Sequence, residues 1–205
     1  MPNPAKNADL HGNVPDSSPV VLLIVDMIND LEFPGGDRLA DQIMPVARAI
    51  RELRDKAKAL GIPAVYVNDN FGRWQSDQAA VIKHCLANDV RGRPVAQLLA
   101  PEPDDYFVLK PKHSGFYSTT LDTLLAYLRA SSLIITGVAG NSCVLFTAND
   151  AFMRDYHIYV PSDCTASIDP EDNQYALKQV REVLGADTTA SVELDLEALR
   201  AGQRS

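Results

Sequence analysis

The chain has 205 residues, 46% of them apolar, and a formal net charge of −8. That length suits one α/β domain with a real core, and the apolar content excludes global disorder. The acidic balance excludes a general nucleic-acid or anionic-membrane surface, and no apolar run approaches the ~20 residues of a spanning helix.

Residues 1–18 are rich in Pro, Asn, Asp and Ser without periodicity, so they are expected to form a flexible arm ahead of a single domain over residues 19–205. The segment Met1-Pro2-Asn3-Pro4-Ala5-Lys6 lacks the apolar core of a secretory signal, which makes a cytoplasmic protein the expectation.

Val20 to Val25 is a continuous apolar run stopped by Asp26, the pattern of a buried central strand. Ile43, Ala47, Ile50, Leu53 and Ala57 recur at helical spacing between Ala40 and Leu60, with Gly61 as the stop. Ile62 to Val67 is predicted as a second strand and Ser76 to Leu86 as a helix, followed by a loop from Asn88 to Pro103 with room for a short turn.

Tyr106 to Leu109 is a third strand ending at Lys110, and Thr120 to Ala130 an amphipathic helix. A fourth strand, Leu133 to Val138, leads into a glycine loop and a helix-like segment to Phe152. His157 to Val160 is a fifth strand and Glu171 to Leu184 a helix; a weak strand near Thr188 to Ser191 and a helix from Glu193 to Arg200 close the chain. Strands alternating with helices imply parallel βαβ units in a doubly wound sheet.

The most informative stretch is Gly137-Val138-Ala139-Gly140-Asn141-Ser142-Cys143. It places a cysteine in the first turn of a helix, where unpaired N–H groups and the helix dipole are expected to favour the nucleophilic thiolate. Sites in open parallel sheets form at the carboxyl ends of strands. There Asp26 closes strand one, Lys110 strand three, and the Cys143 loop follows strand four.

These are the parts for acyl transfer. The thiol attacks a carbonyl, the carboxylate takes its proton, the ammonium steadies both anions, and the backbone N–H groups of Ala139 and Cys143 can receive the oxyanion. Cys85 and Cys164 read as small buried hydrophobes, Asp26 could instead be a cap, and Lys112 reads as a solvated lysine. His113 is the rival base. The three cysteines make no disulfide framework, and the four histidines never fall at metal-ligand spacing, so no metal and no cofactor are expected.

Val25-Asp26-Met27, Lys110-Pro111-Lys112-His113-Ser114-Gly115-Phe116-Tyr117, Thr136 to Cys143, Asp150-Ala151-Phe152 and Val160-Pro161-Ser162-Asp163 together resemble the isochorismatase-like cysteine hydrolases. That family includes nicotinamidases, N-carbamoylsarcosine amidohydrolases and ureidoacrylate amidohydrolases. The resemblance spans about Val20 to Leu184. It implies a three-layer α/β/α Rossmann-like sandwich with a mainly parallel sheet of about six strands, and a homodimer or homotetramer.

The family's aspartate, lysine and cysteine fall on Asp26, Lys110 and Cys143; Lys110 rather than Lys112 matches because it lies four residues before Ser114. The resemblance further implies a cis peptide at Val138-Ala139. True isochorismatases typically lack a cysteine where this chain has Cys143, and metal-binding nicotinamidases carry histidines where it has Asn68-Asp69-Asn70-Phe71-Gly72-Arg73-Trp74. Gly140 stands where many relatives have threonine.

The expected activity is therefore metal-free cleavage of a small amide or ureide through an acyl-thioester, with a small molecule as partner and neither nucleic acid nor membrane. The alternatives are a non-amide hydrolase of the same fold, a silent binding protein, and a redox-sensing thiol. Phe33, Asn68, Asp69, Trp74 and Phe116, in loops or at strand ends, are the expected substrate-pocket residues.

Overall fold

The computed structural model describes residues 17–202 except Gln75 and Asn88. Sixteen residues of the expected arm thus lie outside the described part. Of the remaining two, Ser18 is buried and donates its N–H to the Leu128 carbonyl at 2.9 Å.

Six strands form one parallel sheet: β1 (Val20–Val25), β2 (Ala64–Asp69), β3 (Tyr106–Lys110), β4 (Ser132–Val138), β5 (His157–Tyr159) and β6 (Thr165–Ala166). The order is β3-β2-β1-β4-β5, with β6 pairing the far end of β4. All six residues of β1 and all seven of β4 are buried, as a strand covered on both faces requires.

Alternation along β1 divides its side chains between two cores. Val20, Leu22 and Ile24 pack with α1 (Gly36–Ala59), α2 (Gln78–Ala87), α3 (Arg93–Leu98) and α7 (Leu196–Arg200). Val21, Leu23 and Val25 pack with α4 (Leu121–Leu128), α5 (Leu145–Phe152) and α6 (Pro170–Leu184) on the other face. Helix α1 is held by the stripe anticipated from its spacing, Ile43, Ala47, Ile50, Leu53 and Ala57, all buried.

Three elements differ from the expected layout. The loop after α2 contains α3, a helix opened by Pro94 near its N-terminus, where the missing proline N–H costs nothing. The sixth strand is Thr165–Ala166 rather than the segment near Thr188; that region contributes only a bridge between Asp187 and Tyr159. The closing helix begins at Leu196, because Ser191–Glu193 form a separate 3-10 turn and Asp195 caps α7 by accepting from the Ala198 N–H.

Strand order reverses at β1, with β2 on one side and β4 on the other. A crevice opens there at the carboxyl ends of the strands. Gly137 sits where β4 passes closest to β1: its φ is +112°, and a Cβ there would lie 2.0 Å from the Val25 carbonyl oxygen. Only glycine fits this approach.

Candidate active site

Asp26 follows the last residue of β1 with φ of +52°, a left-handed conformation that Asp tolerates better than most residues. Both carboxylate oxygens are engaged. Oδ1 accepts the Asp69 N–H at 2.6 Å, and Oδ2 lies 2.8 Å from Lys110 Nζ.

Lys110 ends β3, two strands away from β1, a lateral gap of about 10 Å at ordinary strand spacing. Its side chain reaches across the end of β2, so that its Nζ lies 3.5 Å from Asp69 Oδ2 and donates to the Lys112 carbonyl at 3.2 Å and to Cys143 Sγ at 3.4 Å. The length of a lysine is what lets a residue on β3 serve this point. Its Nζ is fully enclosed.

Cys143 is the fourth residue of a π turn, Gly140–Val144, that runs directly into α5. The Ala139 carbonyl anchors the turn by accepting from both the Ser142 and Val144 N–H groups. The Val138-Ala139 peptide is cis. Thr147 ties the turn to the β3–α4 loop: its hydroxyl donates to the Cys143 carbonyl at 2.6 Å and accepts the Gly115 N–H at 3.0 Å. Ser114 donates to Asp150 on α5 and accepts the Phe116 N–H, so the loop after Lys110 is docked on the helix that follows the cysteine.

Burial pushes the Asp26 carboxyl above the ordinary carboxylate range, opposed by the Lys110 charge. Burial, reinforced by the Asp26 charge, pushes the Cys143 thiol up to about 12, with Lys110 pulling the other way. Lys110 keeps its proton: burial disfavours the charge, but Asp26 and Cys143 together raise it. The thiolate expected from the helix-terminal position is thus opposed here by enclosure beside a carboxylate.

A cavity of about 330 Å3 opens over these groups, lined by Asp26, Asn29, Phe33, Asp69, Phe71, His113, Ala139 and Cys143, with Leu39, Val138, Ser142 and Ile168 completing the wall. Its size suits a small molecule. Of the expected pocket residues, Phe33 and Asp69 line it, and three do not.

Asn68 is fully buried and donates its amide to the Ile28 carbonyl at 2.7 Å, because alternation along β2 turns it away from the crevice. Phe116 is packed into the core beside Tyr156, with the Arg154 guanidinium 4.6 Å above its ring. Trp74 is 81% exposed and flanks a separate depression with Arg73, Ser76 and Ala80. Phe71, one of the loop aromatics that line pockets or pin loops down, also lines the cavity, whereas Asn29, Leu39 and Ile168 are not legible as pocket residues from the sequence; of these, Asn29 has a usable signal, lying three residues past Asp26.

His113 reaches the cavity too, its Nδ1 3.8 Å from Cys143 Sγ and its ring against Phe146. Cys85 and Cys164 are buried and free. Among the described residues no group of three or more His, Cys, Asp or Glu side chains could hold a metal ion, and no helix is long and apolar enough to cross a membrane.

Six parallel strands with flanking helices make the isochorismatase-like α/β fold. The Isochorismatase domain model matches residues 20–192, and the chain belongs to that family. It is 45% identical over 173 residues to the uncharacterized isochorismatase family protein YaaI of Bacillus subtilis, covering 84% of this chain and 94% of that protein.

It is 44% identical over 182 residues to the ureidoacrylate amidohydrolase RutB of an Enterobacter species, covering 76% and 78% respectively. The N-carbamoylsarcosine amidase structure from Thermoplasma acidophilum superposes with a TM-score of 0.65 at 27% identity, covering 86% of this chain and 98% of that one.

Proposed function

We propose that the protein is a cysteine amidohydrolase that cleaves the C–N bond of a small amide or ureide through an acyl-thioester. The observation that carries this reading is the position of Lys110 Nζ, 2.8 Å from Asp26 and 3.4 Å from Cys143 Sγ, where those two residues line a cavity large enough for such a substrate. The amidohydrolases among its relatives support the same class of reaction.

In this mechanism the substrate carbonyl settles over Cys143 and Asp26 accepts the thiol proton as sulfur attacks. A neutral resting thiol needs a base at hand, and a carboxylate whose affinity for protons is raised by burial is better matched to that role than an ordinary one. Lys110 stays charged and steadies both anions. The tetrahedral oxyanion is received by the N–H groups of Ala139 and Cys143.

Collapse breaks the C–N bond, and the leaving nitrogen takes the proton from Asp26 and departs as ammonia or an amine. Asp26 then deprotonates a water that attacks the thioester; the C–S bond breaks and the proton returns to sulfur. Asp69 and Asn29, on the cavity wall, are placed to bond polar substrate groups, while Phe33, Phe71 and Leu39 supply apolar walls.

The homodimer or homotetramer implied by the resemblance and a cytoplasmic location belong to this proposal, as does the division into an arm over residues 1–18 and one domain over 19–205. Ammonia release from a panel of small amides and ureides tests the activity. Release establishes the class. Turnover of enol ethers or esters with no ammonia from any amide would instead favour the chemistry for which the family is named.

A further inference from the structure

The π turn carrying Cys143 begins at Gly140, and a Cβ at that residue would lie 1.9 Å from Asn173 Oδ1 and 3.2 Å from Ser167 Oγ. Real side chains do not approach so closely, so the side chain of Asn173, from the first turn of α6, occupies the space that any larger residue at 140 would need. Asn173 is not an idle filler. Its Nδ2 donates to the Thr165 carbonyl of β6 at 3.2 Å, and its Oδ1 accepts from Ser167 Oγ at 3.2 Å.

Ser167 Oγ in turn accepts the Asn141 N–H at 3.0 Å, and the Asn141 side chain donates to Asp172 at 3.2 Å. Asn141 N–H is among the first in the turn, where the backbone has no donor–acceptor partner of its own behind it. A continuous path of hydrogen bonds therefore runs from the sheet at β6, through Asn173 and Ser167, to the start of the turn that ends in Cys143. Ser167 is 1% exposed, so its hydroxyl at the middle of the path is shielded from competing water.

We propose that Asn173, acting through Ser167, is a positioning residue for the Cys143 turn, and that glycine at 140 is the condition for its presence. The inference rests on the reading of Cys143 as the nucleophile, but its physical content is separable from it. Without Asn173, Ser167 Oγ loses the acceptor that orients its hydroxyl under the Asn141 N–H, the space beside Gly140 empties, and the turn is free to shift Cys143 out of its enclosure beside Asp26.

The test compares wild type, Asn173→Ala, Gly140→Ala and the double variant. The rate of Cys143 alkylation by iodoacetamide is followed against pH by mass analysis of the Cys143 peptide, alongside thermal midpoints. Asn173→Ala should shift the alkylation profile toward the ordinary thiol value of about 8.5, giving at least about tenfold faster modification at neutral pH. Its kcat on any substrate found should fall about tenfold or more with KM little changed, the signature of lost transition-state positioning.

Gly140→Ala should lower the thermal midpoint, and adding Asn173→Ala should recover part of that loss, since the two positions share one space. An Asn173→Ala profile that superimposes on the wild type, or lies to its alkaline side, overturns the proposal. So does a double variant no more stable than Gly140→Ala; if Gly140→Ala does not fold, the Asn173→Ala profile decides alone. Alkylation shifted as expected in a protein that hydrolyses no amide would leave the positioning role standing and remove the amidohydrolase reading.

Discussion

Lys110 and Asp26 face each other at 2.8 Å with almost no access to solvent, one brought from β3 and the other from the end of β1. Removing one partner of such a pair leaves a buried charge without compensation, at a cost of about 3–5 kcal/mol. Lys110→Met should therefore lower unfolding stability at neutral pH by that order in urea titrations.

The deficit has a defined sign in pH. With the lysine gone, the strongest opposition to the burial that raises the Asp26 value is lost and only the Asp69 N–H and the Cys143 thiol still oppose it, so the folded state binds that proton more readily than the unfolded chain. Stability of the variant should then fall as pH rises above the ordinary carboxylate value and through the raised one, and recover in acid. A variant as stable as wild type across this range would contradict the pairing.

Asp26→Asn keeps the shape of the side chain and removes the base. Loss of a matched base costs on the order of 10²–10⁴ in rate. In the wild type, kcat/KM should be full above the raised Asp26 value and decline as pH falls through it, so the acid limb should lie above the ordinary carboxylate range. Measurement of kcat/KM against pH for both proteins checks this, and the acid limb should be absent in the variant.

The thiol offers a test that needs no substrate. With Cys143 pushed up to about 12, the ultraviolet thiolate absorbance that separates wild type from Cys143→Ala should stay flat between about pH 6 and about pH 9. An inflection below about 8 would mean that the turn stabilises a resting thiolate after all.

His113 lies 3.8 Å from the sulfur, farther than Lys110 at 3.4 Å. His113→Gln should keep kcat within about tenfold of wild type, with the larger change in KM because the ring lines the cavity. A loss of 10² or more in kcat, the size expected of a general base, would transfer that role from Asp26 to His113.

Asp26, Lys110 and Cys143 were legible because each ends or follows an apolar run, and a doubly wound sheet gathers such ends at one edge. The pocket wall was less so. Asn68 ends the same strand as Asp69 yet faces the other way, since successive strand residues alternate, and strand-end composition does not fix the phase. Phe116 belongs to the same loop as His113 but is drawn inward by the ties of Ser114 to Asp150 and Gly115 to Thr147.

The sixth strand escaped notice because two residues, Thr165 and Ala166, carry no readable pattern. The protonation of Cys143 depends on enclosure and on a carboxylate 117 positions earlier in the chain, neither of which local sequence reports.

Whether Cys143 is the nucleophile is decided by comparing Cys143→Ala and Cys143→Ser with wild type on whichever amide or ureide releases ammonia. The alanine variant should show no release above background and the serine variant only a trace, with both folded. Ammonia release by Cys143→Ala at the wild-type rate would contradict that role.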